Sequence, residues 1–122
     1  MRRGFTLIEI IVVLGILGIS FFATYHALTR FSARLNLNAA AKAVATDLRA
    51  LQAKAVSRHK TLELSPDRVK LPDGIKIISG APIKFSPSGF SPPGGSGTWI
   101  LENRLGNQKK VITTSMGRVR VE

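Results

Sequence analysis

One stretch limits what this chain can fold into more than any other. From Phe5 to Ala23 the only charge is Glu9, and the only other polar side chains are Thr6 and Ser20. Nineteen residues rising about 1.5 Å each span roughly 28 Å, close to the ~30 Å hydrocarbon core of a bilayer. Extending the segment to Tyr25 or Leu28 covers that thickness. Arg2 and Arg3 lie just before it, so the charge bias places the N-terminus in the cytoplasm and the rest of the chain outside it.

Three readings of the segment compete. A cleaved secretory signal needs a small-x-small site after its apolar core, but the residues there are Ser20-Phe21-Phe22-Ala23-Thr24-Tyr25. A plain signal anchor accounts for everything except Glu9. A carboxylate inside a membrane costs about 2.5–3.5 kcal/mol on insertion scales, so it is expected to be functional and paired, or to snorkel to the interface.

The third reading comes from a motif. Met1-Arg2-Arg3-Gly4-Phe5-Thr6-Leu7-Ile8-Glu9, followed by Ile10-Ile11-Val12-Val13-Leu14, resembles the type IV prepilin signal. That resemblance implies a leader of residues 1–4, cut between Gly4 and Phe5 by a prepilin peptidase, and N-methylation of Phe5. It implies that the apolar helix is kept, and that Glu9 pairs with a subunit's N-terminal amine during filament assembly. An unpaired buried charge is strongly unfavourable, so such a pair would fix the register between subunits.

Charge and hydropathy are segregated along the chain. The net charge is +11 although 44% of residues are hydrophobic. From Thr24 onward there are 16 Lys and Arg against six Asp and Glu. The absence of cysteine rules out disulfides and thiolate metal sites. His26 and His59 are too few for a histidine metal cluster. Gly94-Gly95-Ser96-Gly97 lacks a P-loop lysine and precedes no helix, and Asp67, Asp73 and Glu102 have no calcium-loop spacing. No cofactor, metal site or catalytic residue is expected, and the chain reads as a non-enzyme.

Beyond the membrane segment, Leu28, Phe31, Leu35, Ala41, Val44, Leu48, Leu51 and Ala55 recur mostly at intervals of three and four. This predicts one apolar stripe on a helix running from about Phe5 to Ser57. Residues 5–28 form its transmembrane, filament-core half and 29–58 its amphipathic half, with Arg30 and Arg34 on a solvated face or against anionic lipid. Residues 59–122 read as a β-rich head. Its expected strands are Thr61–Leu64, Val69–Leu71, Ile75–Ile78, Ile83–Phe85, Thr98–Glu102, Lys109–Thr113 and Arg118–Val121. Pro72-Asp73-Gly74 and Leu105-Gly106-Asn107 are expected turns, the latter closing a hairpin. Ser86–Gly97, with three Pro, four Gly and four Ser, reads as a flexible surface loop whose apolar anchor is Phe90. Trp99 is expected in the core. The fold class is α+β: a long N-terminal helix packed on a small antiparallel sheet, as in the pilin fold.

Within that family, the missing disulfide and calcium loop point toward the H-type minor pseudopilins of type II secretion and the FimT minor pilins. Ile83-Lys84-Phe85-Ser86-Pro87-Ser88-Gly89 resembles their Phe-x-x-x-Gly element, and Gly117-Arg118-Val119-Arg120 their Gly-Arg-x-Arg element. The resemblance implies other pilin or pseudopilin subunits, a prepilin peptidase and an inner-membrane assembly platform as partners. It implies a single-pass inner-membrane protein whose head is periplasmic or in an extracellular filament. Gly-Arg-x-Arg is associated with DNA binding in FimT proteins that serve natural transformation. On a strand, residues i and i+2 share a face, so Arg118 and Arg120 are expected to project together with Val119 and Val121 inward. Lys109 and Lys110 on the preceding strand are expected to extend the patch. A basic edge strand that resists sheet-to-sheet pairing is the alternative reading.

Overall fold

The computed structural model describes residues 4–122. The leader residues Met1–Arg3, with the Arg2–Arg3 charge bias, lie outside the described residues. The chain divides into two compact units, one reaching to Ser32 and one comprising Ala33–Glu122. Helix α1, Leu7–Arg58, begins in the first and ends in the second.

In the first unit, Thr6 starts the helix. Its carbonyl accepts the amides of Glu9 (3.1 Å) and Ile10 (3.3 Å), and its hydroxyl accepts Glu9 N–H at 3.3 Å. Thr6-Leu7-Ile8-Glu9 has the spacing of a capping box, and Thr6 supplies the N-cap half of it. The large apolar side chains that follow are exposed, Ile10 at 51% and Phe21 at 74% among them. The hydroxyls of Ser20 and Thr24 donate to the carbonyls of Ile16 (2.9 Å) and Ser20 (2.8 Å). Both hydroxyls are thereby satisfied within their own helix, as a segment surrounded by hydrocarbon requires. This segment is long and apolar enough to cross a membrane.

The second unit contains the buried core. From α1 it takes Leu37, Ala40, Ala41, Val44, Ala45, Leu48 and Ala55. The expected stripe is corrected here: Leu28, Phe31 and Leu35 are 61%, 60% and 52% exposed. At about 100° per residue, these three point roughly 140° away from the arc of the buried residues. The six-residue step from Leu35 to Ala41 changes helix face, so the expected stripe joined two different faces. The helix ends in a Schellman motif, with Lys60 N–H on Ala55 carbonyl (3.2 Å) and His59 N–H on Val56 carbonyl (3.3 Å). His59 occupies the left-handed position with φ 51°, so it lies past the helix and not on it.

Two antiparallel sheets form instead of one. Strands β1 (Leu62–Leu64) and β3 (Ile83–Phe85) pair with each other. Strands β2 (Ile75–Ser79), β4 (Gly97–Asn103), β5 (Gln108–Thr113) and β6 (Val119–Val121) form a four-stranded sheet in the order β2-β4-β5-β6. The expected strand at Val69–Leu71 is absent. Pro66 opens a 3-10 turn, Pro66–Arg68, and Pro72 restricts Leu71 and offers no N–H to a ladder. Val69 and Leu71 still pack against the core. In β4 the expected alternation holds, with Trp99, Leu101 and Asn103 buried. Trp99 Nε1–H donates to Ala81 carbonyl at 2.7 Å. The expected β4–β5 hairpin forms, and Asn103 Oδ1 accepts the amides of Leu105 and Asn107, each at 3.0 Å.

Candidate functional site

The N-terminal signature lies at the edge of regular structure. Gly4, Phe5 and Thr6 lie outside the helix, and Phe5 is 79% exposed. A peptidase requires an extended chain, and the Gly4–Phe5 bond precedes the first helical hydrogen bond. Glu9 stands in the first turn of α1, exposed. Acidic side chains there complement the helix dipole, so part of the reason for a carboxylate at this position is local.

The second group is on the head. Arg118 and Arg120 are exposed on either side of buried Val119, with Val121 half-buried. Exposure alternates as expected, although β6 itself begins at Val119 and Arg118 belongs to the preceding turn. The lysines do not act as a pair. Lys109 sits opposite Leu101 on the inward side and is half-buried, whereas exposed Lys110 shares the outer face with Ile112, the register partner of Arg120. Alternation along a strand separates neighbours, so only Lys110 extends the surface of Arg120. Glu122 also belongs to this surface, 3.6 Å from Arg120 Nη2. An exposed pair of this kind contributes little.

Helix α1 holds this region in place through two residues that sequence reasoning missed. Arg49 Nη2 donates to Val119 carbonyl at 3.1 Å, covering part of the free edge of β6. Gln52 Nε2 donates to Gly89 carbonyl at 2.6 Å and Gly117 carbonyl at 3.0 Å. Gly117 has φ 77°, and a Cβ on it would lie 2.2 Å from Gly89 carbonyl oxygen. The glycines of the Phe-x-x-x-Gly and Gly-Arg-x-Arg elements therefore touch one another where one glutamine bonds to both. The only prior signal was that each element carries an otherwise unexplained glycine.

The expected anchor of the Ser86–Gly97 loop is corrected as well. Phe90 is 52% exposed, while Gly89, Ser91 and Gly95 are buried. Backbone bonds pin the loop: Lys84 N–H to Gly95 carbonyl at 2.9 Å, Ser86 N–H to Phe90 carbonyl at 2.8 Å, and Ser91 N–H to Ser115 carbonyl at 3.0 Å. With Pro and Gly supplying the turns, the backbone does the anchoring and the aromatic ring is free to face outward. Among the described residues no group of three or more His, Asp or Glu side chains is gathered to hold a metal.

Residues 1–25 match the family model described as the prokaryotic N-terminal methylation motif. The match supports a type IV pilin-like protein. No curated protein and no solved structure matches the chain. The α+β architecture, a long N-terminal helix with small antiparallel sheets, is pilin-like as well. The motif suggests processing by a prepilin peptidase and assembly with pilin subunits, and with the apolar helix it is consistent with membrane anchoring of this pilin-like chain.

Proposed function

We propose that the chain is a minor pilin or pseudopilin, a structural subunit of a type IV-like filament assembled at the inner membrane, in type II secretion or in type IV pilus biogenesis. The observation that carries this reading is the match of residues 1–25 on a helix whose apolar first part is exposed and lacks a core of its own. In this reading the peptidase cuts between Gly4 and Phe5, Phe5 is N-methylated, and Glu9 pairs with a subunit amine in the bundle. The head faces the periplasm or the filament exterior and meets other subunits and the assembly platform. Glu9→Ala is expected to leave processing intact, read by mass spectrometry of the N-terminus, and to abolish most incorporation into sheared filaments. Wild-type incorporation would remove Glu9 from the assembly role.

A second reading is favoured by one observation: Arg118 and Arg120 are exposed around buried Val119, whose carbonyl Arg49 holds. Two guanidiniums presented in this way suit phosphate oxygens. The chain then also binds extracellular DNA, as a FimT-like minor pilin, with Lys110 assisting and Lys109 contributing less. Phosphate contacts are sequence-independent and weaken with salt. The full chain in neutral detergent micelles should bind labelled DNA at low salt. Arg118→Gln/Arg120→Gln should lower the affinity and flatten the salt dependence by about two contacts' worth, roughly 0.9 in slope for each phosphate. Equal binding by the double variant would end this reading.

A further inference from the structure

The region beside the arginines contains more than charge. Gly89 meets Gly117, and Ser91 N–H donates to Ser115 carbonyl at 3.0 Å. Residues 89–91 therefore run antiparallel to residues 115–117, and this register sets Phe90 opposite Met116. Their neighbours Gly89, Ser91 and Gly117 are buried, whereas Phe90 is 52% and Met116 74% exposed. An aromatic ring and a thioether thus stand outward at one rim of the head, and Arg118 follows Met116 by two residues. Gln52 fixes the two segments to each other from beneath. Exposed large apolar side chains on a pinned backbone, with Arg118 two residues beyond Met116 in the chain, suit a ligand with both an apolar face and negative charge.

We infer that the Phe90–Met116 rim is a stacking site for an unpaired nucleobase, and that together with Arg118 and Arg120 it binds single-stranded DNA in preference to duplex. The inference rests on the DNA-binding reading above and adds the form of the ligand. A duplex turns its base faces inward and offers its phosphates outward, so Phe90 and Met116 gain nothing from it. A single strand offers base faces and phosphates together. Base–aromatic stacking tolerates any base, and methionine sulfur adds favourable contact with aromatic rings. Positive charge beside the rim attracts the backbone that carries the stacked base. An anionic membrane surface is the competing occupant for such a rim, and the experiment includes it.

The test uses the full chain in neutral detergent micelles and fluorescein-labelled DNA of about 20 nucleotides, longer than the ~4–16-nucleotide sites of single-strand binders. Phe90→Ala should weaken single-strand binding roughly 5- to 150-fold, the loss of one stacked base, and leave duplex binding unchanged. Phe90→Trp should keep single-strand affinity, and the added indole should be quenched by the oligonucleotide. Unchanged single-strand affinity in Phe90→Ala, or equal losses on both forms, overturns the inference. If that happens while Arg118→Gln/Arg120→Gln abolishes binding, the basic pair stands and only the rim fails. If Phe90→Ala weakens single-strand binding while the double arginine variant binds as wild type, the rim stands and the phosphate role falls. In nanodiscs containing phosphatidylglycerol, a blue shift of the Phe90→Trp indole without quenching by DNA assigns the rim to lipid and overturns the inference.

Discussion

The two units answer the same physical demand in opposite ways. In the segment up to Ser32, apolar side chains face outward all around α1 and its hydroxyls bond back to carbonyls of the preceding turn. In Ala33–Glu122, apolar side chains gather on one arc of α1 and are covered by two sheets, while helix polar groups reach across to loops 37 to 70 residues distant in sequence. The first arrangement needs only a helix and an apolar surrounding. The second depends on particular shapes meeting, so its tolerance of substitution is much smaller. One helix serves both because it can be apolar all round in one part and one-sided in another.

The largest effect expected from this contrast separates residues two positions apart. Leu37→Ala should destabilise the head by about 2–5 kcal/mol, because Leu37 is 2% exposed. Leu35→Ala, at a position 52% exposed, should change it by no more than about 0.5 kcal/mol. Denaturant unfolding of the full chain in micelles, followed by near-ultraviolet signal from Trp99, measures both. Equal losses would mean that the helix face has been misassigned.

Next in size is Gly117→Ala. The left-handed backbone and the meeting with Gly89 should together cost about 2–4 kcal/mol, seen as a lowered unfolding midpoint. A loss below about 0.5 kcal/mol would mean that the two loops part easily. The smallest effect runs in the other direction. His59→Gly relieves a side chain from φ 51° and should stabilise the head by up to about 1 kcal/mol. A destabilised variant would show that His59 makes contacts that outweigh its backbone strain.

Much of this was legible in the sequence. The end of α1 is predicted at Ser57 and found at Arg58, because the apolar period stops and β-branched runs follow. Strand β3 falls where expected and β4 and β5 each begin and end within one residue of expectation, since alternation and the Gly106 turn specify that hairpin. The Arg118/Arg120 alternation was legible for the same reason. Four things were not. A spacing of three or four cannot show that Leu35 and Ala41 lie on different faces unless the phase is followed through the gap. Val69–Leu71 carries strand-forming residues, but two prolines decide its backbone. Phe90 reads as an anchor because large apolar side chains usually are, and only the pairing of its loop with Met116 turns it outward. Gln52 gave no signal, since a glutamine on a helix does not announce what its amide will reach.

The bonds from Arg49 and Gln52 also bear on the order in which the head acquires structure. They join α1 to residues 65 and 70 positions later in the chain, so these bonds close only after the segment around Gly117–Val119 has been made. Contacts of such long sequence separation form slowly. Until they form, the amphipathic part of α1 lies uncovered, the condition in which exposed apolar surface of a slow-folding chain aggregates.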